Sequence, residues 1–138
     1  MLVDCVHIIL DGKMTKEEFL ATVAKFGLVH NEYDDFIEVK IKSRYGNSIT
    51  LMEYWKKTFY SSYSWCSKQA GEVNFYFPQR VLSVDGYLVE IEQGDDMKDE
   101  QHKRFSKQTK LERTLTEVME QLKSWRQEIK LTEVEWDF

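Results

Sequence analysis

Aliphatic and β-branched residues dominate Leu2 to Leu10 and stop at Asp11-Gly12, a pattern that predicts a strand buried on both faces. The spacing then turns helical, with Phe19, Leu20, Val23, Ala24 and Phe26 recurring on one side. Thr15 followed by Glu18 forms a capping box at the start of this helix, Met14 and Phe19 are placed as a hydrophobic staple, and Gly27 stands where a C′ residue belongs. From Phe36 to Lys42 the period falls to two. Ile37, Val39 and Ile41 face one way and Glu38, Lys40 and Lys42 the other, as in a half-solvated strand, and Arg44 to Asn47 supply a turn.

Ser48 is suited to cap a second helix over residues 49–70, in which Leu51, Trp55, Phe59 and Cys66 return near one face and Gly71 is the stop. The serine-rich, aromatic centre FYSSYSWCS has modest helix propensity, so a helix broken near Ser61 fits nearly as well. Val73 to Phe77 reads as a short strand that Pro78 ends or places at an edge. Val81–Val84 and Tyr87–Glu92 flank Asp85-Gly86, the signature of a type I′ hairpin. A long polar helix is expected from about Lys98 to Lys130. Its apolar positions Leu111, Leu115, Val118, Leu122, Trp125 and Ile129 form one narrow seam that packs on the sheet or, alternatively, joins two copies of the chain as a homodimeric scaffold. Val134, Trp136 and Phe138 alternate with acids, which predicts a closing strand. The expected architecture is one α+β domain over residues 1–138: a small mixed β-sheet with helices packed mainly on one face and a long C-terminal helix.

A chain of 138 residues with 42% hydrophobic positions can hold a core without disulfides or metal. Its formal charge of −5, from 19 basic against 24 acidic residues, argues against direct binding to nucleic acid, which needs a positive field. Cys5 and Cys66 are far apart in apolar surroundings and read as reduced thiols of a cytoplasmic protein. The first ten residues carry Asp4 and His7 and lack a basic leading segment, unlike a signal peptide, and no stretch is apolar enough to cross a membrane. His7, His30 and His102 are scattered, so no metal or cofactor is expected, and no nucleophile elbow, phosphate-binding loop or HExxH motif occurs.

Three groups of residues carry candidate chemistry. In FIEVKIK, Glu38 and Lys40 share a strand face, as the acid and lysine of a PD-(D/E)xK nuclease do, but such a site needs a further acid on an earlier strand, which falls to Asp4 or Asp11. Asp4 and His7 lie on opposite faces of the first strand and do not form an acid–base pair. Lys103, Arg104, Lys107, Lys110 and Arg113 form a basic group along the start of the long helix, read as a solvated face, with phosphate contact as the alternative. Glu90, Glu92, Asp95, Asp96, Asp99 and Glu100 precede it and suit the positive end of that helix. Alternatively, with Glu32, Asp34, Asp35 and Glu38, they present negative charge to a basic cleft. Tyr33, Tyr45, Tyr54, Tyr60, Tyr63 and Trp65 would anchor such a contact.

The order LDG, TKEEFLATVAKFG, YGNSITLMEYW, YLVEIE and TEVEWDF resembles the barstar family. That resemblance implies a small acidic intracellular inhibitor of ribonucleases, with an inhibitory helix following Tyr45-Gly46-Asn47. The matching run offers Thr50, Glu53 and Tyr54, with a single acid, so the target need not be a ribonuclease. The expected function is a non-catalytic protein, of the immunity or phage-encoded kind, that inhibits a nuclease or other nucleic-acid enzyme or defence enzyme. Tyr45, Glu53 and Tyr54, with Asp34, Asp35 and Glu38, would cover its basic active site.

Overall fold

The computed structural model describes residues 13–43, 47–63 and 67–136, with side chains through Lys130. The expected strand at Leu2–Leu10 and residues Asp4, Asp11, Tyr45, Trp65 and Cys66 lie outside these residues.

Helix α1 (Lys16–Lys25) begins as its sequence directs: Glu18 N–H donates to Thr15 Oγ1 at 3.1 Å and Thr15 N–H to Glu18 Oε1 at 3.0 Å. Met14 and Phe19 are both buried beside it. At its other end Gly27 N–H donates to Ala24 O and Leu28 N–H to Val23 O, with Gly27 at φ +65°, the paired bonds of a Schellman motif.

Seven strands follow among the described residues: β1 (His30–Glu32), β2 (Phe36–Lys42), β3 (Ser48–Trp55), β4 (Val73–Tyr76), β5 (Gln79–Leu82), β6 (Leu88–Glu92) and β7 (His102–Phe105). Helix α2 (Gln108–Trp136) ends the described chain. The strands form a five-stranded sheet, β1-β2-β3-β4-β7, and a separate β5–β6 hairpin. The α+β class stands, and every pairing among the described residues is antiparallel.

The second expected helix is instead β3, the central strand, followed by a loop. Between Val39↔Met52 and Lys40↔Thr50 the register slips by one residue, leaving Leu51 as an unpaired bulge position that is fully buried. That extra residue breaks the two-residue period of Ile49, Met52 and Tyr54 and creates the four-residue step from Leu51 to Trp55 that mimics a helix. Beyond β3 the chain runs on as a long hairpin. Gly71 N–H donates to Trp55 O, and Phe59 and Lys68 exchange backbone hydrogen bonds at 2.9 and 2.8 Å.

The expected helix from Lys98 starts only at Gln108, because His102–Phe105 forms β7 against β4. Only Phe105 of that strand is buried, so its pattern shows no period-two apolar signal. The acids Asp95 to Glu100 therefore precede a strand, and the first turn of α2 holds no acid. At its far end α2 continues through Trp136, where a closing strand was expected. Pro78 ends β4 rather than marking an edge, since β4 lies between β3 and β7. The β5–β6 hairpin is present, but its turn closes from Gly86 N–H to Ser83 O, followed by Gly86 at φ +87° and a Ser83 N–H to Tyr87 O bond. This is a three-residue loop, not the two-residue type I′ turn.

Both helices pack on one face of the large sheet. Leu111, Leu115, Val118, Leu122 and Ile129 are buried, with Trp125 packed against them, in a core that includes Phe19, Val39, Met52, Phe75, Ile91 and Phe105. The seam of α2 thus faces the protein's own sheet. Glu112 ties the helices together, accepting from Lys25 Nζ at 2.6 Å and Thr22 Oγ1 at 3.0 Å. Lys25, and then Thr22, hold its carboxyl below the usual carboxylate range.

Candidate functional site

Directly opposed residues of antiparallel strands share a face, so the register defines the surface turned away from the helices. One row crosses all five strands: Asn31, Glu38, Glu53, Asn74 and Arg104. Polar side chains occupy every position of this row, whereas the neighbouring row Ile37, Tyr54, Val73 and Phe105 is buried beneath the helices.

A polar cluster occupies one side of the row. The Tyr76 hydroxyl donates to Glu53 Oε1 at 2.8 Å and accepts from Lys68 Nζ at 3.3 Å. Lys68 is only 7% exposed, and its ammonium also lies 5.9 Å from the Tyr76 ring centroid. His102, opposite Tyr76 across the β4–β7 pair, stacks on that ring at 5.2 Å, and its Nε2 lies 3.0 Å from Asn74 Oδ1. Asn74 is fully buried, and its Nδ2 has no hydrogen-bond partner among the described residues. Arg104 donates to Ser67 O at 2.9 Å, which ties β7 to the loop that carries Lys68.

Burial sets the protonation states here. It pushes the Tyr76 hydroxyl far above the usual phenol range, with the Glu53 charge and hydrogen bond adding to it. Burial also lowers the His102 imidazole, and the positive Lys68 and Arg104 act in the same direction. Tyr76 is therefore a neutral donor to a carboxylate and His102 a neutral ring near pH 7. This arrangement stores hydrogen bonds and does not activate the phenol as a nucleophile.

Rings occupy the other side of the row. Tyr33, Phe36, Trp55 and Phe59 form a ladder with successive centroid distances of 4.9, 4.8 and 6.0 Å. Phe36 and Trp55 are opposed across β2 and β3, which explains the middle step. The ends emerge: Tyr33 is 47% and Phe59 49% exposed, and Tyr60 and Tyr63 on the adjoining loop are 83% and 62% exposed.

The expected site residues separate on this scaffold. Glu38 and Glu53 are brought face to face across β2 and β3. Glu38 Oε2 accepts from Thr50 Oγ1 at 3.0 Å, and Glu38 Oε1 lies 3.6 Å from Lys40 Nζ. Asp34 and Asp35 are exposed in the turn before β2, next to Tyr33, with Lys57 3.6 Å from Asp35. Tyr54 belongs to the opposite face. It is 6% exposed, stacks on Phe19 at 5.2 Å and donates to Met14 O at 2.8 Å, so it cannot join a surface with Glu53. The segment Ser48–Trp55, which the resemblance to the inhibitor family assigns to a helix, is strand β3.

Glu32, nearby on β1, is clamped by Lys16 Nζ at 2.7 Å and Lys56 Nζ at 3.0 Å, and these two hydrogen bonds hold its carboxyl down at about 2. The acids at this end are thus partly balanced by lysines. Sequence reasoning missed Lys68, Asn74 and Tyr76. Their only signal is the alternation Asn74, Tyr76 on β4, which becomes visible once Phe75 is assigned to the core face.

Fold and site together define an α+β protein whose antiparallel sheet gives one face to two helices and the other to a polar row flanked by rings. Among the described residues no group of three or more His, Cys, Asp or Glu side chains is placed to hold a metal ion. Comparison with protein-family models, curated proteins and solved structures finds no match to the chain.

Proposed function

We propose that the protein is a non-catalytic binding protein that inhibits a partner enzyme by covering its basic substrate groove. The observation that carries this reading is the ring surface: Tyr33, Phe59, Tyr60 and Tyr63 are all substantially exposed at the same end of the sheet, beside Asp34 and Asp35. Exposed aromatic side chains lose little entropy on docking and are the commonest energetic anchors of protein interfaces. The row acids Glu38 and Glu53 extend the same face toward the polar cluster. In this mechanism the rings hold the partner, while Asp34, Asp35, Glu38 and Glu53 take the place of the nucleic-acid phosphates that the partner's cations would bind.

The test is capture of a nucleic-acid enzyme from the native lysate at low salt, followed by assay of that enzyme with and without the protein. Inhibition that weakens in high salt, and that Tyr60→Ala and Phe59→Ala each reduce, supports the reading. Anchor residues lose roughly 2 kcal/mol on truncation, about thirtyfold in Kd. Inhibition that is unchanged in both variants would reject it.

A second reading has one observation in its favour: Glu38 and Lys40 do share a face 3.6 Å apart, as a metal-dependent nuclease of the PD-(D/E)xK type requires, and Glu53 stands opposite. Magnesium-dependent cleavage by the purified protein that disappears in Glu38→Ala would establish it in place of the inhibitor.

A further inference from the structure

The basic residues near the start of α2 divide between two faces, and the division creates a cleft. Lys103 pairs with Phe75 and Phe105 with Val73, so both belong to the helix side of β7, whereas Arg104 turns the other way to reach Ser67. Lys110, Arg113 and Thr114 sit three and four residues apart on α2 and share one face. Lys103, Phe105, Lys110, Arg113 and Thr114 together line a cleft of about 250 Å³.

The geometry points to this cleft as a binding site for a phosphate-type oxyanion. None of Lys103, Lys110 and Arg113 makes an ion pair with a described residue. Three unpaired cations on one cleft are an arrangement that self-repulsion opposes and that an anion relieves. The positive end of α2 adds to the field, since no acid occupies its first turn. The Lys103 ammonium lies 5.1 Å from the Phe105 ring centroid, which orients it at the cleft wall. Arg113 supplies a planar fork of donors, Lys103 and Lys110 supply point charges, and Thr114 supplies a hydroxyl. The volume is below the range of pockets that enclose whole drug-sized ligands, so the site takes a small oxyanion or the phosphate end of a larger molecule. It faces away from the ring surface and does not depend on the inhibitor reading.

Titration calorimetry on the full chain in phosphate-free buffer at constant ionic strength tests the assignment, with inorganic phosphate in one arm and glycerol phosphate, a simple monoester, in another. Saturable binding of either supports the site, and the arm with the higher affinity identifies free phosphate or a phosphate monoester as the preferred form. Lys103→Gln with Arg113→Gln should weaken it at least tenfold, while Lys123→Gln, further along α2, leaves it unchanged. Far-ultraviolet circular dichroism and thermal unfolding confirm that the variants fold; all three positions are exposed. No saturable heat, equal affinity in the double variant, or acetate binding as well as phosphate would overturn the assignment. So would binding of a single-stranded oligonucleotide through these residues without affinity for either phosphate.

Discussion

Gly94→Ala is expected to be among the most damaging small substitutions in the protein. A β-carbon built at Gly94 would lie 2.4 Å from Gln101 O, 2.6 Å from Phe77 O and 2.8 Å from Phe77 N, all of them backbone atoms. Phe77 N–H donates to Gln101 O at 2.9 Å, a bond that continues the β4–β7 pairing beyond Tyr76↔His102. The new methyl group strikes both ends of that bond, and neither end belongs to a flexible side chain. Opening it costs about 1 kcal/mol for the bond, with a further 1–3 kcal/mol where a freed group stays out of reach of water. Against this, alanine gains roughly 0.4–1 kcal/mol from its smaller unfolded-state entropy. The net expectation is a loss of about 1–3.5 kcal/mol. Gly86→Ala is the control: its β-carbon meets nothing within 4 Å, so only the positive φ of +87° opposes it, at about 1 kcal/mol. Urea unfolding of the two variants beside the parent chain decides the matter. A Gly94→Ala midpoint at or above that of Gly86→Ala would refute the steric reasoning.

Three further outcomes follow from the packing and the polar cluster. Tyr76→Phe leaves buried Lys68 Nζ without its hydroxyl partner and should cost about 3 kcal/mol. Adding Lys68→Met removes the stranded charge, so the double variant should be more stable than the sum of the two single losses allows, and strict additivity in urea titrations would count against the network. His102 has its imidazole pKa lowered by burial, Lys68 and Arg104, so the folded state resists protonation more than the unfolded chain does. Its contribution to stability is complete above the ordinary 6.5 and is lost as the pH falls below it; unfolding measured from pH 7.5 to 5 should show a shallower decline in His102→Gln. Leu115→Ala should cost about 3 kcal/mol because Leu115 is fully buried on the seam, whereas Leu82→Ala, at a half-exposed position, should stay within about 0.5 kcal/mol in the same assay.

Local rules settled the parts of this chain that depend on near neighbours. The capping box at Thr15 and Glu18, the glycine stop at Gly27, the alternation of Ile37, Val39 and Ile41, and the seam from Leu111 to Ile129 each state their structure within one or two turns of chain. The elements misread from the sequence were those whose identity depends on what lies beside them. Ser48–Trp55 is a strand because β2 and β4 flank it, and its buried bulge at Leu51 disguises the period. His102–Phe105 is a strand because β4 offers it a row of hydrogen bonds that its charged composition does not advertise.

The candidate surfaces divide along the same line. Composition showed that rings and acids were plentiful, but only the pairing register placed Glu38 opposite Glu53, sent Tyr54 to the other face, and gathered Lys68, Asn74, Tyr76 and His102 from three separate stretches of chain. A side chain's face on a sheet reverses with each one-residue shift of register. Local periodicity and caps therefore place α1, β2 and the seam of α2, while the long-range pairing of strands decides that Ser48–Trp55 and His102–Phe105 are strands and which polar residues meet.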